Sequence, residues 1–215
     1  MHNKRKELGE VSRQTIIDTA ARLMAEHGYD GTSMSQLAKE SGLPSSSIYW
    51  HFSSKEGVLE AVMERGARHF FGAFDDPDWF AGTPSERLHQ MFLRTGLSLI
   101  GDPEHAQFLQ LQLMFRLNSQ RHREKASHDV ATAVRTEGVA FMHRWIKGAY
   151  EEYGEQVSEQ IASELDEFAV AMIDGIYLTI KAGSPVTPAV LLDHAATALV
   201  GLAEDALRGI NSQHT

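Results

Sequence analysis

The sequence of 215 residues lacks cysteine entirely and contains only six prolines. Without cysteine it can form neither a disulfide framework, nor a cysteine-ligated zinc site, nor a thiol nucleophile. No run approaches the ~20 apolar residues that cross a bilayer. The basic residues near the N-terminus are not followed by the apolar segment of a secretory signal. These absences favour a cytoplasmic protein, and we expect it to have no membrane partner.

Basic residues are also in short supply, since 20 Lys and Arg stand against 29 Asp and Glu and give a formal net charge of −9. Such a charge is unfavourable for binding nucleic acid, whose phosphates attract cations. The excess acid is unevenly placed, however. Residues 1–68 carry nine basic and nine acidic side chains, so the whole imbalance lies after residue 68. Residues 41–55 contain no carboxylate.

Strand signals are absent, whereas helix signals are frequent. A capping residue precedes a proline at Thr83-Pro84, Asp102-Pro103 and Thr187-Pro188, and proline is favoured at the first position of a helix. Capping-box patterns, which also mark helix starts, occur at Ser33–Gln36, Ser53–Glu56 and Thr83–Glu86. The sequence therefore predicts an all-α fold.

The predicted helices fall into two sizes. Short ones cover Ser12–His27, Ser33–Glu40 and Ser45–Phe52, and long ones cover Arg123–Tyr153, Glu155–Lys181 and Thr187–Arg208. This pattern predicts a three-helix N-terminal domain over residues 1–54, preceded by a basic arm at residues 1–10, and a larger helical domain over residues 55–215. Lys4, Arg5 and Lys6 of the arm either reach a DNA backbone or minor groove, or are simply solvated.

The segment from Ser33 to Phe52 has the layout of a helix-turn-helix, because a glycine-containing turn at Gly42 separates two short helices. On the second helix, Ile48 and Phe52 share one face, which we expect to pack inward. Ser46, Ser47 and Trp50 then point outward, where a short polar and aromatic face fits the major groove of DNA. The alternative interpretation is a capped helical hairpin with no DNA partner.

Several short motifs keep a fixed spacing through this region. They are Thr15–Ala21, Gly28-Tyr29, Thr32–Met34, Leu37-Ala38, Ser41–Leu43, Ser47–Phe52 and Ser54–Leu59. Over roughly residues 12–62 the sequence therefore resembles the tetracycline-repressor (TetR) family of bacterial transcriptional regulators. Beyond this region the resemblance is one of architecture.

The resemblance implies a set of DNA-binding residues. In the family, the positions matching Ser33, Tyr49, His51 and Lys55 contact phosphates, and those matching Ser35, Ser45, Ser46, Ser47 and Trp50 face the bases. The base-facing positions carry mostly short hydroxyls, without an arginine fork for guanine. We therefore expect recognition to depend partly on water and DNA shape.

The resemblance also implies a small-molecule effector in the second domain, which is rich in aromatic residues and methionine. Candidate ligand-binding residues are Phe70, Phe74, Met91, Phe92, His105, Gln112, Phe115, Arg116, Phe141, His143, Trp145, Met172 and Tyr177. Aromatic and methionine side chains suit a permissive apolar pocket. Taken one at a time, aromatic and methionine side chains at helical spacing are more often plain core.

The last two long helices carry wide apolar stripes with small residues among them. A pair of helices cannot bury both faces, so we expect a homodimer built on a four-helix bundle, as the family resemblance also implies. Candidate interface residues are Phe168, Met172, Gly175, Ile176, Ala195, Leu199, Leu202 and Ala206. A two-fold dimer would place two recognition helices about one DNA turn apart, on a palindromic operator.

No catalytic constellation, metal-ligand spacing or phosphate loop is recognisable, so we expect no enzyme activity, no metal and no cofactor. The leading interpretation is a repressor whose partners are double-stranded operator DNA and a small, largely apolar effector that releases it. One alternative is an activator or architectural DNA binder that needs no effector. Another is an all-helical enzyme acting on a small apolar molecule.

Overall fold

The computed structural model describes residues 2–74, 81–118 and 125–213. Every regular element in these ranges is helical, which confirms the all-α class. The α-helices are α1 (His2–His27), α2 (Met34–Ser41), α3 (Ser45–Phe52), α4 (Lys55–Gly72), α5 (Pro84–Gly101), α6 (Pro103–Asn118), α7 (Lys125–Ala149), α8 (Glu155–Lys181) and α9 (Pro188–Gln213), and a 3-10 turn lies at Glu151–Tyr153. Among these residues, no helix is long and apolar enough to cross a membrane.

The three proline-marked starts are confirmed, since α5, α6 and α9 begin at Pro84, Pro103 and Pro188. The capping box of α5 is complete. The Thr83 hydroxyl accepts from the Glu86 backbone N–H at 3.3 Å, and the Glu86 carboxylate accepts from the Thr83 N–H at 2.8 Å. Two N–H groups that the first turn leaves unpaired are thereby satisfied.

The start of α1 was predicted wrongly. The helix begins at His2 rather than Ser12, and the Ser12 hydroxyl donates to the Leu8 carbonyl at 2.9 Å instead of capping a new helix. Serine in a helix interior commonly makes this bond to the residue four positions earlier. The predicted basic arm at residues 1–10 is therefore helical from His2 onward, and the side chains of Lys4, Arg5 and Lys6 lie outside the described residues.

The predicted cap of α4 is displaced by one residue. The Ser54 hydroxyl, rather than that of Ser53, accepts from the Gly57 N–H at 3.2 Å. Ser53 has φ 59 and ends α3, so its backbone is already committed to closing the preceding helix. Two long helices also end elsewhere than predicted, α7 at Ala149 and α9 at Gln213.

The chain divides into two compact units. The first contains Met1–His69 and Glu104–Val134, and the second contains Phe70–Pro103 and Arg135–Thr215. The boundary predicted between residues 54 and 55 falls inside the first unit. The compact units thus divide the chain differently from the predicted functional domains, and the functional division stays a prediction.

In the first unit, α6 packs on α1 and α4 through specific contacts. A Cβ atom built on Gly66 of α4 would lie 2.5 Å from a ring carbon of Phe108, so only glycine allows this approach. The Gln110 amide donates to the Ala25 carbonyl at 2.6 Å, near the end of α1. These contacts explain why α6 belongs to the unit that contains the helix-turn-helix.

The second unit is built on α5, α8 and α9, which pack against one another. Fully buried apolar side chains such as Phe92, Ile161 and Leu199 form its core. Helix α7 contributes ion pairs to α8, because Arg135 lies 3.3 Å from Asp174. The unit therefore combines an apolar interior with ion pairs between α7 and α8.

Candidate nucleic-acid interface

The turn between α2 and α3 is built by local sequence. Ser33 caps α2 by accepting from the Gln36 N–H at 3.1 Å. Gly42 ends α2 in the left-handed conformation, with φ 69 and ψ 11, which glycine adopts without strain. Pro44 then precedes α3 in an extended conformation, as its ring favours. A three-residue turn between two short helices is the geometry of a helix-turn-helix.

Helix α3 has one buried face and one exposed face. Ile48 and Phe52 are buried, and Leu37 of α2 is buried as well. Trp50 is 76% exposed and Tyr49 is 51% exposed. The predicted orientation of α3 is therefore confirmed, and its largest aromatic side chain lies in solvent.

The predicted hydroxyl contacts are at or near helix starts. Ser45 and Ser46 are exposed in the first turn of α3, and Ser47 is half-buried behind them. The hydroxyl oxygens of Ser33 and Ser35 lie 3.0 Å apart at the start of α2. Helix N-termini carry free N–H groups and a partial positive charge, so they favour a phosphate.

Lys55 has contacts that the sequence did not predict. Its ammonium donates to the Tyr29 carbonyl at 3.0 Å and the Thr32 carbonyl at 3.1 Å, and it lies 4.0 Å from the centre of the Tyr29 ring. The Tyr29 hydroxyl in turn donates to the Glu56 carboxylate at 2.8 Å. Lys55 therefore joins the start of α4 to the segment before α2, and its predicted phosphate contact stays a prediction.

His51 is half-buried near the end of α3, and its ring is nearly perpendicular to that of Trp50 at a centroid distance of 4.6 Å. Burial and the positive charge of Arg13 lower the pKa of His51, whereas Glu10 acts in the opposite direction. The Arg13 guanidinium lies 5.4 Å from the centre of the Phe52 ring. Arg13 of α1 is thus a neighbour of the predicted DNA surface that sequence reasoning missed.

Four of the predicted ligand-binding residues come together in the second unit. The Phe141 ring lies 5.8 Å from Phe70, 5.9 Å from Phe74 and 5.9 Å from Trp145, measured between centroids. Phe70, Phe74 and Phe141 are buried, and Trp145 is half-buried. The rings pack on one another as a closed aromatic cluster, an arrangement that is also typical of a hydrophobic core.

The remaining ligand candidates are dispersed. Met91, Phe92, Met172 and Tyr177 lie on α5 and α8 of the second unit, whereas His105, Gln112 and Arg116 belong to the first unit. Burial raises the pKa of Tyr177. The side chain of Phe115 lies outside the described residues. The structure therefore does not assemble the whole predicted set within one unit.

His143, a predicted ligand-binding residue, makes electrostatic contacts with carboxylates of its own chain. Its Nδ1 lies 3.0 Å from Asp166 and its Nε2 lies 3.2 Å from Glu159. Lys147, one turn further along α7, lies 2.8 Å from Glu159. The imidazole bridges α7 and α8, and both of its ring nitrogens already face carboxylates of this chain.

The predicted dimer residues are mostly accessible on α8 and α9. Phe168 is 43% exposed, Leu202 is 42% exposed, and Gly175 is also exposed. Met172, Ile176, Ala195 and Ala206 are half-buried. Leu199 was assigned wrongly, since it is fully buried within the chain. Its place on the helix turns it toward the core of the second unit.

A shallow open cleft lies in the first unit, between α1, α4 and α6. Arg65, His69 and Glu104 give it a charged rim, and Val62 and Phe108 are among its apolar walls. No residue of the predicted ligand set lines it. In the described ranges, no three His, Asp or Glu side chains are grouped so that they could hold a metal ion.

Comparison with known proteins independently supports the interpretation of the region around α2 and α3 as a DNA-binding helix-turn-helix. The family model described as bacterial regulatory proteins, tetR family, matches residues 16–62. The HTH-type transcriptional regulator AcrR of Shigella flexneri is 36% identical over 64 residues, which is 30% of each chain. The match therefore spans less than a third of that relative's own length.

Solved structures share the fold over most of the chain at low sequence identity. The regulator FadR from Bacillus subtilis in complex with stearoyl-CoA has a TM-score of 0.69 at 18% identity, covering 87% of this chain and 97% of that one. AibR in complex with isovaleryl coenzyme A and operator DNA has a TM-score of 0.58 at 22% identity, covering 89% and 97%. This likeness concerns the fold alone.

The fold and its exposed α3 face define a helix-turn-helix protein. The matched range lies within the region whose motifs carry the resemblance, so over residues 16–62 the chain is similar to the tetR family of bacterial regulatory proteins.

Proposed function

We propose that this protein is a ligand-responsive transcriptional repressor of the bacterial cytoplasm, which binds a palindromic operator as a homodimer and is released by a small, largely apolar effector. The observation that carries the proposal is the outward face of α3. Trp50 is 76% exposed there, while Ile48 and Phe52 on the opposite face are buried. A large aromatic side chain held in solvent on a short helix is suited to contact bases in a major groove.

The charge distribution supports the same surface. The first 68 residues are balanced in charge, and residues 41–55 contain no carboxylate. The acidic excess belongs to the rest of the chain, where it disfavours contact with a phosphate backbone. Non-specific binding to DNA is therefore weak, and contact is limited to the region around α3.

Release by an effector requires that the ligand prefer one arrangement of the two recognition helices over the other. The aromatic cluster of Phe70, Phe74, Phe141 and Trp145 marks the apolar region in which we expect the effector to bind. The ligands of the structural neighbours, stearoyl-CoA and isovaleryl coenzyme A, are suitable first probes because they combine an acyl chain with a polar group.

DNA recognition is tested by selecting duplexes from a random pool and measuring their affinity by fluorescence anisotropy. We expect a selected site with two-fold symmetry. Trp50→Ala should lower its affinity by about tenfold and relax the preference at one or two base positions, as loss of a base contact does. Tyr153→Ala is the matched control, because Tyr153 is 44% exposed but lies in the second unit. Selection of no sequence above background would reject the proposal.

The effector is tested by the shift in unfolding temperature with acyl coenzyme A esters and a library of apolar compounds. A true effector raises the unfolding temperature and lowers operator affinity at the same concentration. Hits that stabilise the protein without releasing DNA would favour an effector-independent regulator. Turnover of a hit compound would favour the enzyme alternative.

A further inference from the structure

Arginines of the first unit differ in what they contact. Arg22 lies 3.4 Å from both Glu26 and Glu40, Arg68 lies 2.6 Å from Glu64, and Arg65 is paired with Asp18. In the described part of the chain, by contrast, Arg13 has no carboxylate within ion-pair distance and instead lies over the Phe52 ring. It is a cation without an acidic partner, held against the last residue of α3.

The position of Arg13 is fixed by α1. The helix begins at His2, so Arg13 lies well inside it and its backbone is held by helical hydrogen bonds. Arg13 is half-buried, and its guanidinium lies over an aromatic ring of α3 with its N–H donors still available. Its charge acts on His51, the neighbour of Phe52. The family resemblance places His51 at a phosphate of the operator.

We propose that Arg13 of α1 is a further DNA-binding residue, and that its guanidinium binds the operator backbone beside His51. This inference rests on the proposed function, and it extends the DNA surface from α2 and α3 onto the first helix. A guanidinium that already lies over a ring loses little freedom when it binds, and its planar fork matches a phosphate. The contact positions the protein and carries no base information.

A residue near Arg13, Glu10, allows a second test, in which the expected change in DNA affinity has the opposite sign. Glu10 is exposed one turn earlier on α1, and its charge acts on the same imidazole. A carboxylate so near a bound phosphate opposes binding. Removing the charge of Glu10 should therefore strengthen the complex, whereas removing that of Arg13 weakens it.

The experiment measures operator affinity of the full chain as a function of salt. Arg13→Gln should weaken binding about tenfold, equally for all operator variants, and should reduce the slope of log affinity against log salt by about one. Arg13→Lys should recover part of the affinity, because it restores the charge without the fork. Glu10→Gln should bind more tightly than the wild type. Arg22→Gln is the control, since this arginine of the same helix is already paired, and it should leave the salt slope unchanged.

Three results would overturn the inference. The first is an Arg13→Gln protein with wild-type affinity and salt slope. The second is a loss of affinity with an unchanged salt slope, which would mean that Arg13 only supports Phe52. The third is unchanged affinity in Glu10→Gln, a result that counts even where Arg13→Gln proves unstable in thermal unfolding. Failure of the wild-type protein to select any operator would instead reject the proposed function itself.

Discussion

The ammonium group of Lys55 is held by backbone carbonyls of its own chain, those of Tyr29 and Thr32, and by the ring of Tyr29. Hydrogen bonds from a charged donor contribute more than neutral ones, and removing this donor from the two carbonyls has a cost of its own. A residue that the family resemblance places at a phosphate is therefore also part of the structure that fixes α4 to the helix-turn-helix.

Lys55→Met should lower the free energy of unfolding by about 1.5–3 kcal/mol, the range for a hydrogen bond from a charged group. Chemical denaturation followed by circular dichroism measures this loss. Lys39→Met is the matched control, since Lys39 is exposed on α2 and should change stability by less than about 0.5 kcal/mol. Equal stability of the two variants would show that the carbonyl contacts contribute nothing.

The surroundings of His51 predict how operator affinity depends on pH, including the sign of the change. In the free protein, burial and Arg13 lower the pKa of His51, against the opposing effect of Glu10, and these two residues of α1 are the charged groups that act on it. A phosphate brought to the ring favours the imidazolium and raises the pKa in the complex. Binding thus takes up a proton, and operator affinity should rise as the pH falls from about 8 to about 6.

Anisotropy titrations across this pH range measure the effect in the wild type and in His51→Gln. The variant cannot take up the proton, so its affinity should be nearly independent of pH. A wild-type profile as flat as that of the variant, or one that rises with pH, would contradict a phosphate contact by His51.

At the scale of helices, the start of a helix could be predicted only where its cap is chemically distinctive. Proline directly after Thr83 or Thr187 suits the first turn of a helix better than its interior, and those starts are confirmed. Ser12 has the composition of a cap, yet its hydroxyl bonds back to Leu8 inside a longer helix. A serine can either cap a helix or bond back to the preceding turn inside one, and nothing in the local sequence distinguishes these two roles.

Burial was predictable where periodicity decides it and not where tertiary contacts do. Spacing alone places Ile48 and Phe52 on one face of α3. The wide apolar stripe of α9, however, contains both core and surface positions, and Leu199 lies on the core side. The contacts of Lys55 and Arg13 depend on helices that meet only in the folded chain, so no sequence spacing indicates them.

The close packing of α4 on α6 predicts how replacing a glycine by alanine changes the stability of the protein. Gly66→Ala places a methyl group 2.5 Å from the Phe108 ring, which ought to force the helices apart and cost about 1–3 kcal/mol of stability. Gly148→Ala in α7 has open space at its Cβ and should instead stabilise by about 0.5–1 kcal/mol through helix propensity.

Thermal and chemical unfolding distinguish these signs. Adding Phe108→Leu to Gly66→Ala should restore part of the loss, because a smaller side chain makes room for the methyl group. If both glycine variants are stabilised to the same extent, the close approach of α4 and α6 does not exist in solution.

For the molecule as a whole, the acidic excess and the exposed apolar faces of α8 and α9 lie in the same part of the chain. The acidic excess lies after residue 68, and the same part of the chain exposes Phe168 on α8 and Leu202 on α9. Exposed apolar residues on two packed helices, with small residues such as Gly175 beside them, suit a close helix–helix interface. Acidic bodies that repel DNA are thus compatible with apolar faces that attract each other.

The final prediction concerns that interface. In a two-fold dimer each interface residue occurs twice, so Phe168→Glu introduces two carboxylates into one apolar contact. The dimer dissociation constant should rise by at least about 30-fold, the effect of losing an interface residue worth ~2 kcal/mol. Leu97→Glu is the control, because Leu97 is 39% exposed on α5 but lies outside the predicted interface, and it should leave the dimer intact. Sedimentation velocity at micromolar concentration separates the outcomes, and operator affinity should fall together with the dimer. A wild-type protein that sediments as a monomer, or a Phe168→Glu protein that remains as dimeric as Leu97→Glu, would mean that the exposed faces of α8 and α9 do not hold two copies together.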